Sequence, residues 1–156
     1  MSETRKAMVT VMGDYGDHYW ISDLLLIYFG KLCELLGRND VSVVYADSVD
    51  NAQMKDPIRG IGIEARFANE RRVNFLFVFF RDENPGKNVL FGVFRYLRQA
   101  LRPQVKLILI DTRQGQGSLT EDEKKILSHS RDCVFLSAEK ITEGKLPDFL
   151  EVPVEV

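Results

Sequence analysis

The sequence predicts an α/β domain: a doubly wound, five-stranded parallel sheet with helices on both faces, a three-layer sandwich. Three observations lead there. Strand-like and helix-like runs alternate along the chain, the order that crossover connections between parallel strands require. Two runs, "VNFLFVFF" (73–80) and "VKLILI" (105–110), are apolar at nearly every position, the mark of strands covered on both faces. The 156 residues, 45% hydrophobic and 28% charged, suit one globular domain with a real core and not a disordered or fibrous chain. Such a layout is flavodoxin-like or Rossmann-like.

Each element follows from its own pattern. "AMVTVM" (7–12) reads as the first strand. "YWISDLLLIYFGKLCELLG" (19–37) carries apolar residues at Leu25, Phe29, Leu32 and Leu36, a helical spacing that Gly37 ends. "VSVVYA" (41–46) is short and β-branched, hence a second strand. A helix covers roughly Gly62 to Arg71 and leads into the strand 73–80. "NVLFGVFRYLRQAL" (88–101) has a helical stripe at Val89, Val93, Phe94, Leu97 and Leu101, with arginines between. After strand 105–110, Thr120 and Glu123 stand in a capping-box arrangement that starts a helix. "CVFLS" (133–137) is the fifth strand. The end, 145–156, with "LPDFLEVPVEV", has two prolines and reads as an extended edge or an interaction arm. No repeat, low-complexity tract or linker divides residues 1–156, so a single domain is expected.

Charge and cysteine usage exclude several classes. A net charge of −2 argues against a long nucleic-acid backbone as main partner. The average hides a gradient: Lys55 to Lys106 is basic (Arg59, Arg66, Arg71, Arg72, Arg81, Lys87), while Glu121 to Val156 is acidic. A basic middle serves a small phosphate-bearing ligand or is a solvated helix face. The start "MSETRKAM" is polar and no apolar run reaches membrane-spanning length, so no membrane association and a reducing, cytoplasmic setting are expected. Cys33 and Cys133 are then expected to be buried and inert. With His18 and His129 the only histidines and no CxxC or HxxxH spacing, no metal site is expected, and nothing calls for a cofactor.

Doubly wound sheets bind ligands in the crevice at the carboxyl ends of their strands. That rule gathers the loops Gly13–His18, Asp47–Gly60, Arg81–Lys87 and Asp111–Gly117 at one rim, at which the helix following Gly62 also points its amino end. Glu64 is the residue of most interest there. On a helix it shares its side with Ile61, Ala65 and Ala68, so its carboxylate lies along an apolar stripe. Desolvation raises such a pKa while the helix amino terminus lowers it. Glu64 is therefore either an electrostatic cap or an ionised, poorly hydrated nucleophile. Gly60 and Gly62 supply a tight turn, or remove bulk where a ring or sugar approaches the backbone. In "GDYGDHYW" (13–20), Gly13 and Gly16 would admit a phosphate, but Asp14 and Asp17 would repel it. Carboxylates, His18 and the aromatic Tyr19 better suit sugar hydroxyls and the face of a base. The plainer reading has Asp17 capping the helix and Tyr19 and Trp20 in the core.

The stretch "GIGIEARFANERRVNFLFVFFRDENPGK" resembles a segment of the nucleoside 2-deoxyribosyltransferases. Gly60, Gly62, Glu64, Phe67 and Ala68 fall on that pattern, followed by the apolar strand "FLFVFF" and the acidic turn "RDENPGK". The resemblance is specific over about thirty residues and architectural elsewhere. It implies that Glu64 attacks the anomeric carbon of a (deoxy)nucleoside or nucleotide, that the base departs, and that a second base or water completes the reaction. An oxocarbenium-like transition state is stabilised, and trapped, by a close carboxylate. A second group must manage the proton on the departing base. Asp47 is the first choice for holding the base or the nucleophile; Asp14, Asp17 and Asp50 are rivals. Arg66 stands where the family has a small residue, and either fills the pocket or brings a cation to a 5′-phosphate. The resemblance further implies a pocket completed by a neighbouring chain, so a homo-oligomer is expected.

Two other readings use the same scaffold. One is a binding or interaction module assembled through the helix 88–101, whose Phe91, Phe94 and Tyr96 exceed what covering a sheet needs. The other is a TIR-like domain, which also uses a glutamate on a doubly wound sheet, to cleave the nicotinamide glycosidic bond. No GxxxxGK[ST] loop is present.

Overall fold

A computed structural model describes residues 5–13, 19–46, 65–81, 89–112, 120–128 and 133–145. The elements are β1 (Arg5–Gly13), α1 (Tyr19–Arg38), β2 (Val41–Ala46), α2 (helical over 65–70), β3 (Phe75–Arg81), α3 (Val89–Ala100), β4 (Lys106–Asp111), α4 (Glu121–Leu127), β5 (Cys133–Ser137) and α5 (Ala138–Thr142). All five strands are parallel, in the order β2-β1-β3-β4-β5. The predicted doubly wound α/β sheet is the one found.

Two cores follow from the two-residue period of the strands. Alternate residues of β3 separate cleanly: Phe75, Phe77 and Phe79 face α1 and α5, whereas Leu76, Val78 and Phe80 face α2, α3 and α4. On the first face Tyr28, Leu32 and Leu36 of α1 and Ile141 of α5 close over Ala7, Val9, Ile108 and Ile110. On the second, Ala65 and Ala68 of α2, Val93, Phe94 and Leu97 of α3 and Leu127 of α4 cover Met8, Leu107 and Leu109. The run from Leu76 to Phe80 is 0% exposed, as expected of a strand sandwiched between helix layers. Of the stripe predicted on α3, Val93, Phe94, Leu97 and Leu101 are buried.

The structure moves several boundaries, and each shift has a cause. β1 starts two residues earlier than "AMVTVM", because Arg5 and Lys6 pair with Val41 and Ser42 at the sheet's amino edge, where long charged side chains reach water. β3 starts two residues later than "VNFLFVFF". The N–H of Val73 is committed to the carbonyl of Ala68 at 3.2 Å and that of Arg72 to Asn69 at 3.2 Å, closing α2 in a Schellman turn before the strand can begin. The capping box of α4 is present in full, with Thr120 N–H donating to Glu123 Oε1 at 2.9 Å and Glu123 N–H to Thr120 Oγ1 at 3.1 Å. Thr120→Ala should cost about 1 kcal/mol by chemical denaturation, the usual worth of such a cap. α5 has no sequence-level expectation; its five residues are too few for a period to register.

Three helices end on a residue with left-handed backbone: Asp40 (φ 59°), Arg72 (φ 52°) and Gly144 (φ 79°). Glycine adopts this conformation without a Cβ penalty, and only α5 uses it. Asp40→Gly should therefore raise stability by a few tenths of a kcal/mol, read as a higher denaturation midpoint.

Candidate functional site

The carboxyl ends of the strands form an edge that is level across four strands. Gly13 of β1 pairs with Arg81 of β3, Phe80 with Asp111 of β4, and Asp111 with Ser137 of β5. Ala46, the last described residue of β2, pairs with Val9, four residues before Gly13, or about 13 Å down the strand. Strand order reverses between β1 and β3, since β1 leads outward to β2 and β3 onward to β4. This is the switch point at which such sheets hold ligands.

On the α2 face, Ala65 is 2% exposed and shares a core cluster with Met8 of β1. α2 runs from there toward the amino edge of the sheet, where the Asn69 side chain ties it to the end of α3. Over its described residues α2 therefore runs with Ala65 on the side of the carboxyl rim and Asn69 on the side of the amino edge. Ala46 pairs with Val9 of β1, and Ala65 belongs to the core layer on the α2 face that also holds Met8.

Of the residues singled out in the sequence, Gly13 ends β1 and Tyr19 opens α1, at the carboxyl edge and beside it in sequence. Arg66 lies on α2 with an exposed side chain, so it fills no core position. Asp14, Asp17, Asp47, Asp50, Gly60, Gly62 and Glu64 lie outside the described residues, as does the arm 146–156.

Sequence reasoning missed two buried hydroxyls. Thr10, two residues beyond Met8 and so on the α2 face, is 0% exposed. It is the lone polar residue of the alternating run "MVTVM", and threonine's β-propensity hid it among strand formers. Thr112, just past β4, donates from Oγ1 to the Phe80 carbonyl at 3.0 Å and from its N–H to the same oxygen at 2.9 Å, clamping the ends of β3 and β4 together. Asp111, half-buried beside it, is an acid at the rim that carries no motif.

The thiols divide. Cys133 is buried, and loss of hydration pushes its pKa up to about 12, with the Arg98 charge opposing weakly. Cys33 is only half-buried, a departure from the expected burial of both, and burial raises its pKa as well. Alkylation at pH 8 should therefore modify Cys33 well before Cys133. A folded pKa raised above the unfolded value means that this contribution to stability is complete below about pH 9. It is lost as pH rises toward 12, by at most about 1.4 kcal/mol per pH unit. Cys133→Ala should flatten that alkaline slope.

Among the described residues no group of three or more His, Cys, Asp or Glu side chains is arranged to hold a metal ion. None of their helices is long and apolar enough to cross a membrane. No family model matches the chain, and comparison with curated proteins yields no match.

Proposed function

We infer that this chain is an N-glycosidic-bond enzyme, a transferase or hydrolase of (deoxy)nucleosides or nucleotides, with Glu64 as nucleophile. The observation that supports the reading is the switch point between β1 and β3, where sheets of this kind hold ligands. In sequence, Asp47 directly follows β2, the strand that pairs with β1, and Glu64 directly precedes α2. Glycosyl transfer needs two carboxylates, one to meet the anomeric carbon and one to hold the base or orient the first.

In this mechanism the Glu64 carboxylate forms a bond to the anomeric carbon as the glycosidic bond breaks. The electron pair leaves on the base nitrogen, and a proton reaches the base from Asp47 or from solvent. A second base, or water, then displaces the glutamate. Asp14, Asp17 and Tyr19 follow β1 directly and suit sugar hydroxyls and the base face, with Gly13, Gly60 and Gly62 allowing close approach. The exposed Arg66 suits a 5′-phosphate at the mouth and would favour nucleotides. Incubation with a panel of nucleosides, nucleotides and NAD, with and without an acceptor base, should release free base from members of the first two groups. Nicotinamide release alone would point to the TIR-like reading, and silence across the panel would remove the enzymatic one.

One observation favours the interaction module. Tyr96 on the outer face of α3 is 46% exposed, beside Arg95, whose guanidinium lies 5.7 Å from the Phe91 ring centre. Tyrosine and arginine are the residues that anchor interfaces. Dimers by light scattering that Tyr96→Ala dissociates, with no base release, would establish that reading.

A further inference from the structure

Strand register sorts the α2 face of the sheet into rows. Met8, Leu76, Leu107 and Cys133 pair across β1, β3, β4 and β5, and Thr10, Val78, Leu109 and Phe135 form the next row toward the rim. The register is pinned at the amino edge, where Lys6 N–H donates to Asn74 Oδ1 at 2.8 Å. All eight side chains are buried except that of Phe135, which is partly covered. The third row, at the carboxyl rim, is Met12, Phe80, Asp111 and Ser137. Its character changes along the row. Phe80 is fully buried and meets the Phe94 ring edge-on at 4.9 Å, whereas Asp111 is half-buried and Ser137 exposed. On the opposite face the neighbouring row, Val11, Phe79, Ile110 and Leu136, is apolar throughout.

Asp111 is the single acid in the five described strands. Its backbone is held firmly. It pairs with Phe80 on one side and Ser137 on the other, and just beyond it Thr112 donates to the Phe80 carbonyl from its N–H at 2.9 Å and from Oγ1 at 3.0 Å. Those bonds are made by the backbone and by Thr112, so none of them calls for a carboxylate at position 111. Ser137 adds a second observation. It stands at the N-cap of α5, where a serine side chain usually accepts an N–H of the first turn, yet it makes no side-chain cap bond. Its hydroxyl is left at the rim, on the same face as Asp111 and in the adjacent strand, with Cα atoms about 5 Å apart. An acid and a hydroxyl thus stand side by side on a rigid frame, the setting in which binding groups keep their geometry.

We propose that Asp111, with Ser137 beside it, orients the substrate at this rim by accepting hydrogen bonds from neutral donors, hydroxyl or amine, of a bound nucleoside. The inference rests on the glycosidic reading above and adds the group that holds the substrate on the β4 side of the switch point. Asp111 lies one strand from β3 and two from β1, about 5 and 10 Å, so a nucleoside lodged between β1 and β3 reaches it. It stands on the face that α2 covers, the helix that Glu64 directly precedes. A carboxylate offers about four acceptor positions and no donor, so it selects donors and repels a phosphate. The serine hydroxyl supplies one more acceptor, and the two together match adjacent donors such as those of a sugar or of an amine-bearing base edge. A phosphate, where the substrate has one, belongs with the exposed Arg66 on α2.

The test measures KM and kcat for base release, and nucleoside Kd by calorimetry, on the full chain and its Asp111→Asn and Ser137→Ala variants. Asparagine keeps the shape of the side chain and removes its charge. Nucleoside KM and Kd should rise about tenfold or more in Asp111→Asn and about threefold in Ser137→Ala, with kcat changed by less than about threefold. Asp111→Asn should also narrow the difference in KM between a nucleoside and its 5′-monophosphate, which a merely structural role would leave alone. Analogues locate the donor: a nucleoside without its 5′- or 3′-hydroxyl reports the sugar, and one without its exocyclic amine reports the base. Where the analogue lacks the donor, wild type should already bind weakly and Asp111→Asn should weaken it no further. Unchanged KM and Kd in folded Asp111→Asn protein would overturn the proposal and leave the glycosidic reading standing. Binding that depends on Asp111 without any base release would remove the glycosidic reading and keep the acceptor. Neither binding nor release would remove both.

Discussion

Glu64→Gln should abolish release of free base, by about 10⁴-fold or more, while leaving the protein folded. The size follows from the role. A carboxylate that forms the bond to the anomeric carbon has no substitute in a carboxamide of the same shape, and loss of a nucleophile typically removes most of an enzyme's acceleration. The folding half of the prediction rests on what surrounds the position. α2 is anchored by Ala65 and Ala68 in the core and by Asn69 at the end of α3, none of which the exchange alters. Asp47→Asn should cost less, about 10²- to 10⁴-fold, as expected of a group that handles a proton or orients its neighbour. Base release and circular dichroism on the same samples check both variants. Undiminished release from folded Glu64→Gln protein would remove the glycosidic reading.

The largest effect on stability should come from Phe79→Ala, a loss of about 3–5 kcal/mol. Phe79 is 0% exposed on the central strand, and its ring stacks on Phe29 at 5.4 Å between centroids and on Tyr28 at 6.5 Å. Truncation leaves a cavity between β3 and α1 that neither layer can close without moving the other, and it forfeits both ring contacts. For a domain whose whole stability is of the order of 10 kcal/mol, that is a large fraction. The midpoint of denaturation should fall at an unchanged slope against denaturant. Tyr96→Ala, with its ring in solvent, should by contrast move stability by less than about 0.5 kcal/mol.

The layered architecture was legible because its signals are collective. A continuous apolar run such as "FLFVFF" has no amphipathic alternative, and Thr120 with Glu123 marks a helix start by two reciprocal bonds. Boundaries were less legible where one residue serves two elements. Val73 is β-branched and buried like a strand residue, yet its N–H closes α2. α5 was invisible because it begins directly after β5, capped by Ser137 without a side-chain bond. The candidate site is read from the sequence as residue types following strand ends, and most of them lie outside the described residues. Nothing in a sequence says that Ala46 pairs with Val9, or that the register shifts between Ala7 and Met8, since strand register is a property of two segments at once. For the same reason Thr10, fully buried in the sheet, draws no notice in the sequence.

The tie between Lys6 and Asn74 spans 68 residues, and it bears on how the chain must be made. β1 is synthesised first but sits in the interior of the sheet, and its second neighbour emerges only once more than half the polypeptide has left the ribosome. Until then Met8 has neither β3 beside it nor α3 over its layer, so the nascent amino-terminal half carries a sticky, half-built surface that invites holding by chaperones. A fragment ending before residue 75 would keep that surface permanently, and should be recovered from cells as aggregate.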